Sequence, residues 1–504
     1  MKKVLVSIVF VFALIGAGVH GESTIYLFNE EKTNFSEGVG NITYPRISAE
    51  TKKETFLFSN SIVVGDVNGD GSNEIIAISL EEGAIYVYNQ NLTLLWKYID
   101  SYYVEHMWYA SYDSSRGVGV SSLTLVDLNN DGIKDILFSI SPGLSFVSVP
   151  NMDYYPQTVF HAFSGNGTEI WNLTLKGGIT ADSVIISDIN SDSNPEIIVG
   201  SDNIYVINFE GQITYSHIID NSSFTGVYSI IGKADTIIFS FWQYKYPQSH
   251  GCVFSKPFSA YFSLRLIRFQ NSNFTTVWTK LLEDPDDFQG PEFYRMFSDD
   301  ELSSLYITQT QPSGLVKINI SSGETEWEKI SDSTIPPGVT VSVLPDGVVW
   351  NKVTEVSVMD KSGKEISSFE IYNPSEYSAV WSVLAVFDVN NNSKNEVILM
   401  DREGMFAFSM DGKKEWYAKM WERAYGYWNP PPSILHADTD NDDFEEIITI
   451  NPNGRIVIID SGTPPESEEP ETLTNNLMFA GIGAGAIAIS VAAVWIWRKR
   501  RDEN

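Results

Sequence analysis

Cysteine is nearly absent from the 504-residue chain: Cys252 stands alone, so no intrachain disulfide can cross-link the fold. Basic residues are also scarce, 33 Lys and Arg against 65 Asp and Glu, for a formal net charge of −32. That balance argues against nucleic acid or anionic lipid as partners, because both reward basic patches. Histidine occurs six times; His106 and His250 fall in long insertions, as do Asp153 and Asp287, but no spacing ties them into a catalytic set. Long apolar runs are missing from the body of the chain and occur only near its ends. Lys2 and Lys3 precede an apolar run over 4–17, and Val19 and Gly21 are small enough for a cleavage site, which reads as a signal peptide over 1–21. Residues 477–497 are uncharged and long enough, as a helix, to cross roughly 30 Å of hydrocarbon. Arg498, Lys499, Arg500 and Arg501 follow at once, and a positive cluster stays on the cytoplasmic side. We therefore expect a single-pass cell-membrane protein. Residues 22–460 lie outside, 461–476 form a Pro- and Glu-rich stalk, 477–497 span the bilayer, and 498–504 are a basic cytoplasmic tail.

With sulfur excluded, the abundant acid supplies another way to staple the chain. One pattern recurs: a β-branched run, then Asp-x-Asn/Asp-x-Asp/Asn, a turn residue, two more residues, a carboxylate and another apolar run. It occurs at Asp66, Asn68, Asp70 and Glu74; at Asp127, Asn129, Asp131 and Asp135; and at Asp188, Asn190, Asp192 and Glu196. Two further copies are Asp388, Asn390, Asn392 and Glu396, and Asp438, Asp440, Asp442 and Glu446. Oxygen side chains at alternate positions of a tight loop point inward and suit a hard cation that takes six to eight oxygens at about 2.3–2.6 Å, which favours Ca2+ over Mg2+. The carboxylate at position nine closes the shell, and position seven adds a backbone carbonyl from Ser72, Ile133, Asn194, Lys394 or Phe444. Gly71 and Gly132 supply the sharp turn after position five. Ser193 and Pro195 in the third copy, and Asn392 and Ser393 in the fourth, predict weaker binding there. Asp/Asn/Gly clusters also make ordinary hairpin turns, but five copies in one register favour the metal reading.

After each acidic loop comes a strand, a turn rich in Asn, Gly or Ser, and a strand that carries an aromatic such as Trp96, Trp171, Trp327 or Trp416. The spacing predicts four strands per unit, with units at 61–100, 121–176, 183–219, 225–282, 293–331, 338–372, 382–420 and 433–460. The middle three lack the acidic loop. The last stops after its third strand, so a fourth must come from elsewhere, and residues 24–29 offer a spare strand that would close a ring and leave no open edge.

On these residues the chain resembles the FG-GAP repeat family, the blades of integrin α-subunit propellers. The resemblance covers about 61–460 and implies that the acidic loops join first to second strands and hold calcium. The Phe-Gly and Gly-Ala-Pro signatures of that family are not evident. The turns from Ser164 to Trp171 and from Ser321 to Trp327 resemble the tryptophan-docking repeats of eight-bladed quinoprotein-type propellers, without any pattern for the quinone. The expected fold is all-β: a β-propeller of four-stranded antiparallel blades, eight favoured over seven, closed by an N-terminal strand and followed by one transmembrane helix.

In such a ring the acidic loops lie on one face. Insertions at 101–119, 142–157, 242–262, 281–294 and 421–432 all fall on the other. Their aromatics, among them Trp108, Tyr109, Tyr154, Tyr155, Trp242, Tyr244, Tyr427 and Trp428, are candidates for binding a protein or glycan ligand. Equally, long loops bury their own aromatics. The leading expectation is a surface recognition or adhesion module. An extracellular enzyme or quinoprotein relative with a site in the central funnel, and an accessory scaffold of a membrane assembly, are the alternatives. Nine Asn-x-Ser/Thr triplets, at Asn34, Asn41, Asn91, Asn166, Asn172, Asn221, Asn273, Asn319 and Asn391, are candidate glycan sites.

Overall fold

The computed structural model describes residues 24–27, 36–37, 46–51, 61–106, 120–141, 157–220, 224–245, 259–282, 295–310, 313–330, 341–352, 355–371, 384–389, 393–400, 404–419, 434–439, 445–451 and 453–460. Each blade repeats one residue pattern. The second strand is a continuous apolar, mostly β-branched run, as in Glu74–Ser79, Glu196–Gly200, Glu396–Met400 and Glu446–Ile450, and all its residues are buried. Such a run is stable only between two other layers. The fourth strand alternates between exposed and half-buried residues, as in Leu94–Ile99 and Glu365–Glu370, which places it at the periphery.

Eight antiparallel blades result, seven with their first four strands in sequence order from the centre outward and the eighth taking its outermost strand from an earlier part of the chain. They span 62–99, 120–176, 184–217, 224–282, 295–330, 341–370, 384–419 and 434–460. The innermost strand of each blade touches that of the next, and Ile434–Ala437 of blade eight touches Ile62–Gly65 of blade one. The hydrophobic core is divided in the same way. Ile76, Ile78, Phe138 and Phe163 fill the space between blades one and two, and Ile75, Tyr86, Ile448 and Ile458 fill that between eight and one. The ring is closed, with eight blades and not seven.

The strand that closes it differs from the one expected. Arg46–Glu50 pairs antiparallel with Ile456–Asp460 and serves as the outer strand of blade eight. Thr51 extends the pairing: its N–H donates to Ile456 O (3.0 Å), and its buried Oγ1 accepts from Ile456 N–H (3.1 Å). Thr24–Leu27 lies instead on the outer edge of blade seven, against Lys414–Lys419, and pairs on its other side with Ser36–Glu37. A bulge explains why the sequence hid the closing strand. The register shifts between Ile47 and Ala49, so Ile47 faces the core shared with blade seven while Ala49 faces that shared with blade one, and the period of two is lost.

Neighbouring blades are also pinned by indoles. Nε1 of Trp96, Trp171, Trp278 and Trp327, each on an outer strand, donates to Gly165 O (2.7 Å), Phe209 O (2.8 Å), Ile320 O (2.9 Å) and Lys361 O (3.2 Å) in the next blade. The receiving turn needs glycine for two reasons at once. Gly211 has φ +80°, and a Cβ there would stand 2.6 Å from Cδ2 of Trp171. At blade one the preceding outer strand, Arg46–Glu50, brings no aromatic. The turn residue there is Leu92 at φ 53°, whose own side chain packs against the cluster shared by blades eight and one.

Among the described residues the one helix is Ser101–His106, and no helix is long and apolar enough to cross a membrane. The segments read as signal peptide, stalk, span and tail lie outside the described residues.

Candidate functional site: the acidic loops

Five first-to-second-strand connections carry the acidic pattern, all at the same end of their blades. In the first, the position-one carboxylate gathers backbone N–H groups. Asp66 Oδ1 accepts from Gly69 (2.7 Å) and Asn68 (3.3 Å), and Oδ2 accepts from Gly71 (3.0 Å). Asn68 Oδ1 accepts from Asp70 N–H (2.8 Å), and Asp70 Oδ1 from Ser72 N–H (2.8 Å). The second and third loops repeat this frame. Asp127 Oδ2 accepts from Gly132 N–H (2.8 Å) and Asp188 Oδ2 from Ser193 N–H (2.9 Å). Asp131 and Asp192 accept at 2.8 Å from Ile133 and Asn194. The position-seven N–H groups of Ser72, Ile133 and Asn194 thus brace the position-five carboxylates, while the carbonyl of the same residue is the group expected to ligate.

The position-nine carboxylates Glu74, Asp135, Glu196, Glu396 and Glu446 are all buried. Each accepts from the backbone N–H of position two: Val67 (3.1 Å), Leu128 (3.0 Å), Ile189 (3.1 Å), Val389 (3.0 Å) and Thr439 (2.6 Å). Sequence reasoning gives position two no role. Its signal in four of the loops is the apolar residue between an aspartate and an asparagine: the Val67, Leu128 and Ile189 side chains insert into the core shared with the next blade, and Val389 into that shared by blades seven and eight. One residue therefore anchors the loop to the ring and holds its last acid. Asn390, Asn392, Asp440, Asp442 and Phe444 lie outside the described residues. Ser393 N–H donates to Asp388 in the fourth loop.

Electrostatics set the acids against one another. Burial pushes the Glu74 carboxyl above its ordinary range against the Val67 hydrogen bond, with Asp70 and Asp66 adding to the rise. Asp135 and Glu196 are raised for the same reasons. Asp70 and Asp192 are lowered, chiefly by the Ser72 and Asn194 backbone N–H groups. The Asn68 carboxamide lies between two of the acids: Nδ2 donates to Glu74 Oε1 (2.7 Å) and Asp70 Oδ2 (3.1 Å). Asn190 does the same toward Glu196 Oε1 (2.5 Å). Among the described residues, no three His, Cys, Asp or Glu side chains stand together as a group able to hold a metal ion. The donors are all oxygens, the set a hard cation takes. A half-turn of the Asn68 carboxamide, bringing Oδ1 where Nδ2 stands, is the rearrangement a cation between Asp70 and Glu74 requires.

Of the candidate aromatics, Trp242 and Tyr244 belong to the strand Thr236–Lys245, so the insertion expected from residue 242 begins after that strand. Trp108, Tyr109, Tyr154, Tyr155, Tyr427 and Trp428 lie outside the described residues. The connections at 107–119, 142–156, 246–258, 283–294 and 420–433 all attach to strand ends opposite the acidic loops.

Two complete loops in adjacent blades, each flanked by antiparallel strands, are the decisive feature. Residues 66–138 match the family model of the FG-GAP-like repeat. This FG-GAP-like segment opens on the first acid of blade one and ends within the second strand of blade two, so it contains both complete loops. No curated protein matches the chain. Among solved structures, BamB from Moraxella catarrhalis is similar at 12% identity and a TM-score of 0.47, over 83% of this chain and 100% of that one. The C-terminal WD40 domain of Sif2 is similar at 11% and 0.45, over 83% and 99%. The rhamnogalacturonan lyase PL11 of Bacillus licheniformis is similar at 13% and 0.39, over 89% and 76%. At these TM-scores the likenesses bear on no functional question.

Proposed function

We propose that this protein is an exported, membrane-anchored propeller that takes calcium into its acidic loops and recognises a protein or glycan with the opposite face. A propeller with an FG-GAP-like repeat is a ligand-binding or scaffold architecture. The calcium reading is carried by one observation: the buried position-nine carboxylate, held by the position-two N–H, recurs in all five loops. A pKa raised by burial and by neighbouring acids is the state that a cation relieves. The recognition reading is supported by the insertions, which all attach on the other face. It is favoured over a catalytic funnel because the described innermost strands contribute no Asp or Glu and only one histidine, His436. Export and anchoring rest on the apolar runs at 4–17 and 477–497.

Equilibrium dialysis of the detergent-solubilised full-length protein against radioactive calcium tests this. At least two ions per chain are expected, with one lost in Asp66→Asn and another in Asp127→Asn. A chain that binds no calcium at millimolar concentration refutes the metal reading.

A further inference from the structure

Asn-x-Thr triplets recur in the turns that join third to fourth strands, and the structure sorts them. Asn91 lies in the turn of blade one, Asn166 in that of blade two, and Asn273 opens the outer strand of blade four. All three therefore stand at the same end of their blades as the acidic loops. In each triplet the middle residue is held against the protein. Leu92 packs on the core between blades eight and one, and Phe274 on that between three and four. Gly167 lies under Trp96, where an added Cβ would stand only 3.1 Å from the indole. The asparagine and the threonine are consequently turned outward, and Asn91, Thr93, Asn166, Thr168, Asn273 and Thr275 are all exposed. The Asn166 Oδ1 accepts from Ser164 Oγ (2.7 Å) and Thr168 N–H (3.0 Å), which aims its Nδ2 at solvent.

Two other triplets also hold their middle residues, Leu173 and Ile320, against the cores, and Asn172 is exposed, but their carboxamide nitrogens are already engaged. Asn172 Nδ2 donates to Glu169 Oε1 (3.1 Å), the oxygen that also holds His161 Nδ1 (2.9 Å). Asn319 is half-buried, and its Nδ2 donates to Glu326 Oε1 (3.0 Å).

We infer that Asn91, Asn166 and Asn273 carry N-linked oligosaccharides, while Asn172 and Asn319 do not. The bond formed joins Nδ2 to the anomeric carbon of the sugar. The bond broken is that carbon's bond to a phosphate oxygen of a polyprenyl-phosphate-linked donor, which leaves with the electron pair, and one amide proton is released. Glycans on three turns of blades one, two and four crowd the acid-loop face and leave the opposite face for a macromolecular partner. The inference rests on the exported reading given above.

The test is peptide mass spectrometry of the full-length protein purified from its native membranes, with the N-terminus sequenced in the same preparation. Sugar mass increments on the peptides containing Asn91, Asn166 and Asn273, with Asn172 and Asn319 unmodified, are the expected result. Unmodified Asn91, Asn166 and Asn273 in a chain that begins near Glu22 overturn the glycan assignment and leave export standing. A chain that retains Met1 and carries no sugar overturns both. Equal occupancy of Asn172 and Asn319 overturns the selection by geometry.

Discussion

Substituting Gly211 by alanine separates two costs that most glycine substitutions mix. At φ +80° an L-residue costs about 1–2 kcal/mol, partly offset by a stiffer unfolded chain, so roughly 1 kcal/mol remains. The added Cβ also meets the Trp171 ring at 2.6 and 2.8 Å, about 1 Å inside the optimal separation of carbon atoms. To escape, the indole must shift from the Phe209 carbonyl, giving up a hydrogen bond of about 1 kcal/mol together with part of its packing. The total for Gly211→Ala is roughly 3 kcal/mol on these terms. Gly132 is the control: its φ is +87°, nothing lies within 4 Å of its Cβ position, and Gly132→Ala should cost only about 1 kcal/mol. In a Trp171→Ala background the steric part vanishes, leaving a coupling of roughly 2 kcal/mol between the two sites. Urea unfolding followed by far-ultraviolet circular dichroism, with the unsubstituted protein, the three single variants and the double variant all in chelator, measures this. Equal costs for Gly211→Ala and Gly132→Ala, or a cost for Gly211→Ala that Trp171→Ala leaves unchanged, would refute indole docking as the link between blades two and three.

Other consequences follow from single groups. Glu74→Ala strips the acceptor from the Val67 N–H and should cost about 1–3 kcal/mol even without calcium, whereas Glu74→Gln keeps the bond and should cost less; urea midpoints compare them. Thr51→Val leaves the Ile456 N–H without its Oγ1 acceptor and should lower stability by about 1 kcal/mol; no change would argue against Arg46–Glu50 as the closing strand. Burial and the nearby Arg265 depress the His217 pKa from 6.5 to about 4, so the fold favours the neutral ring. Its contribution is complete above pH 6.5 and is lost as pH falls through 4, by about 1 kcal/mol after allowance for the ring's partial exposure. His217→Phe should flatten that part of the pH–stability curve.

The blade boundaries were legible because they rest on residue types that cannot serve elsewhere. Continuous β-branched runs such as Glu446–Ile450 mark the buried second strands, and the Asp/Asn/Gly loops mark the end of each loop-bearing first strand. Blade number could be read from the unit spacing, although only the separate four-stranded sheets at 224–282, 295–330 and 341–370, each with its inner strand in the ring, separate eight blades from seven. What stayed hidden was non-local. The closing strand has a bulge that erases its alternation, while the more regular Thr24–Leu27 pairs one blade away. The acidic residues of the site were visible one by one. The role of Val67 and its counterparts was not, because a backbone N–H leaves no trace in a residue's identity, and only the apolar residue between an aspartate and an asparagine hints at it. The strand placement of Trp242 and Tyr244 was obscured because aromatics serve strands and binding loops alike.

On the proposed reading, repeated acids in equivalent loops hold the ring together through divalent ions, a claim that scanning calorimetry of the full-length protein in detergent, with calcium, with magnesium and with a chelator, puts to the test. At a calcium concentration one hundredfold above the dissociation constant, each occupied site adds about 2.7 kcal/mol, so two complete loops should raise Tm by roughly 5 °C or more over chelator, with magnesium giving less. Identical melting in calcium and in chelator would contradict the claim and leave the loops as hydrogen-bonded turns.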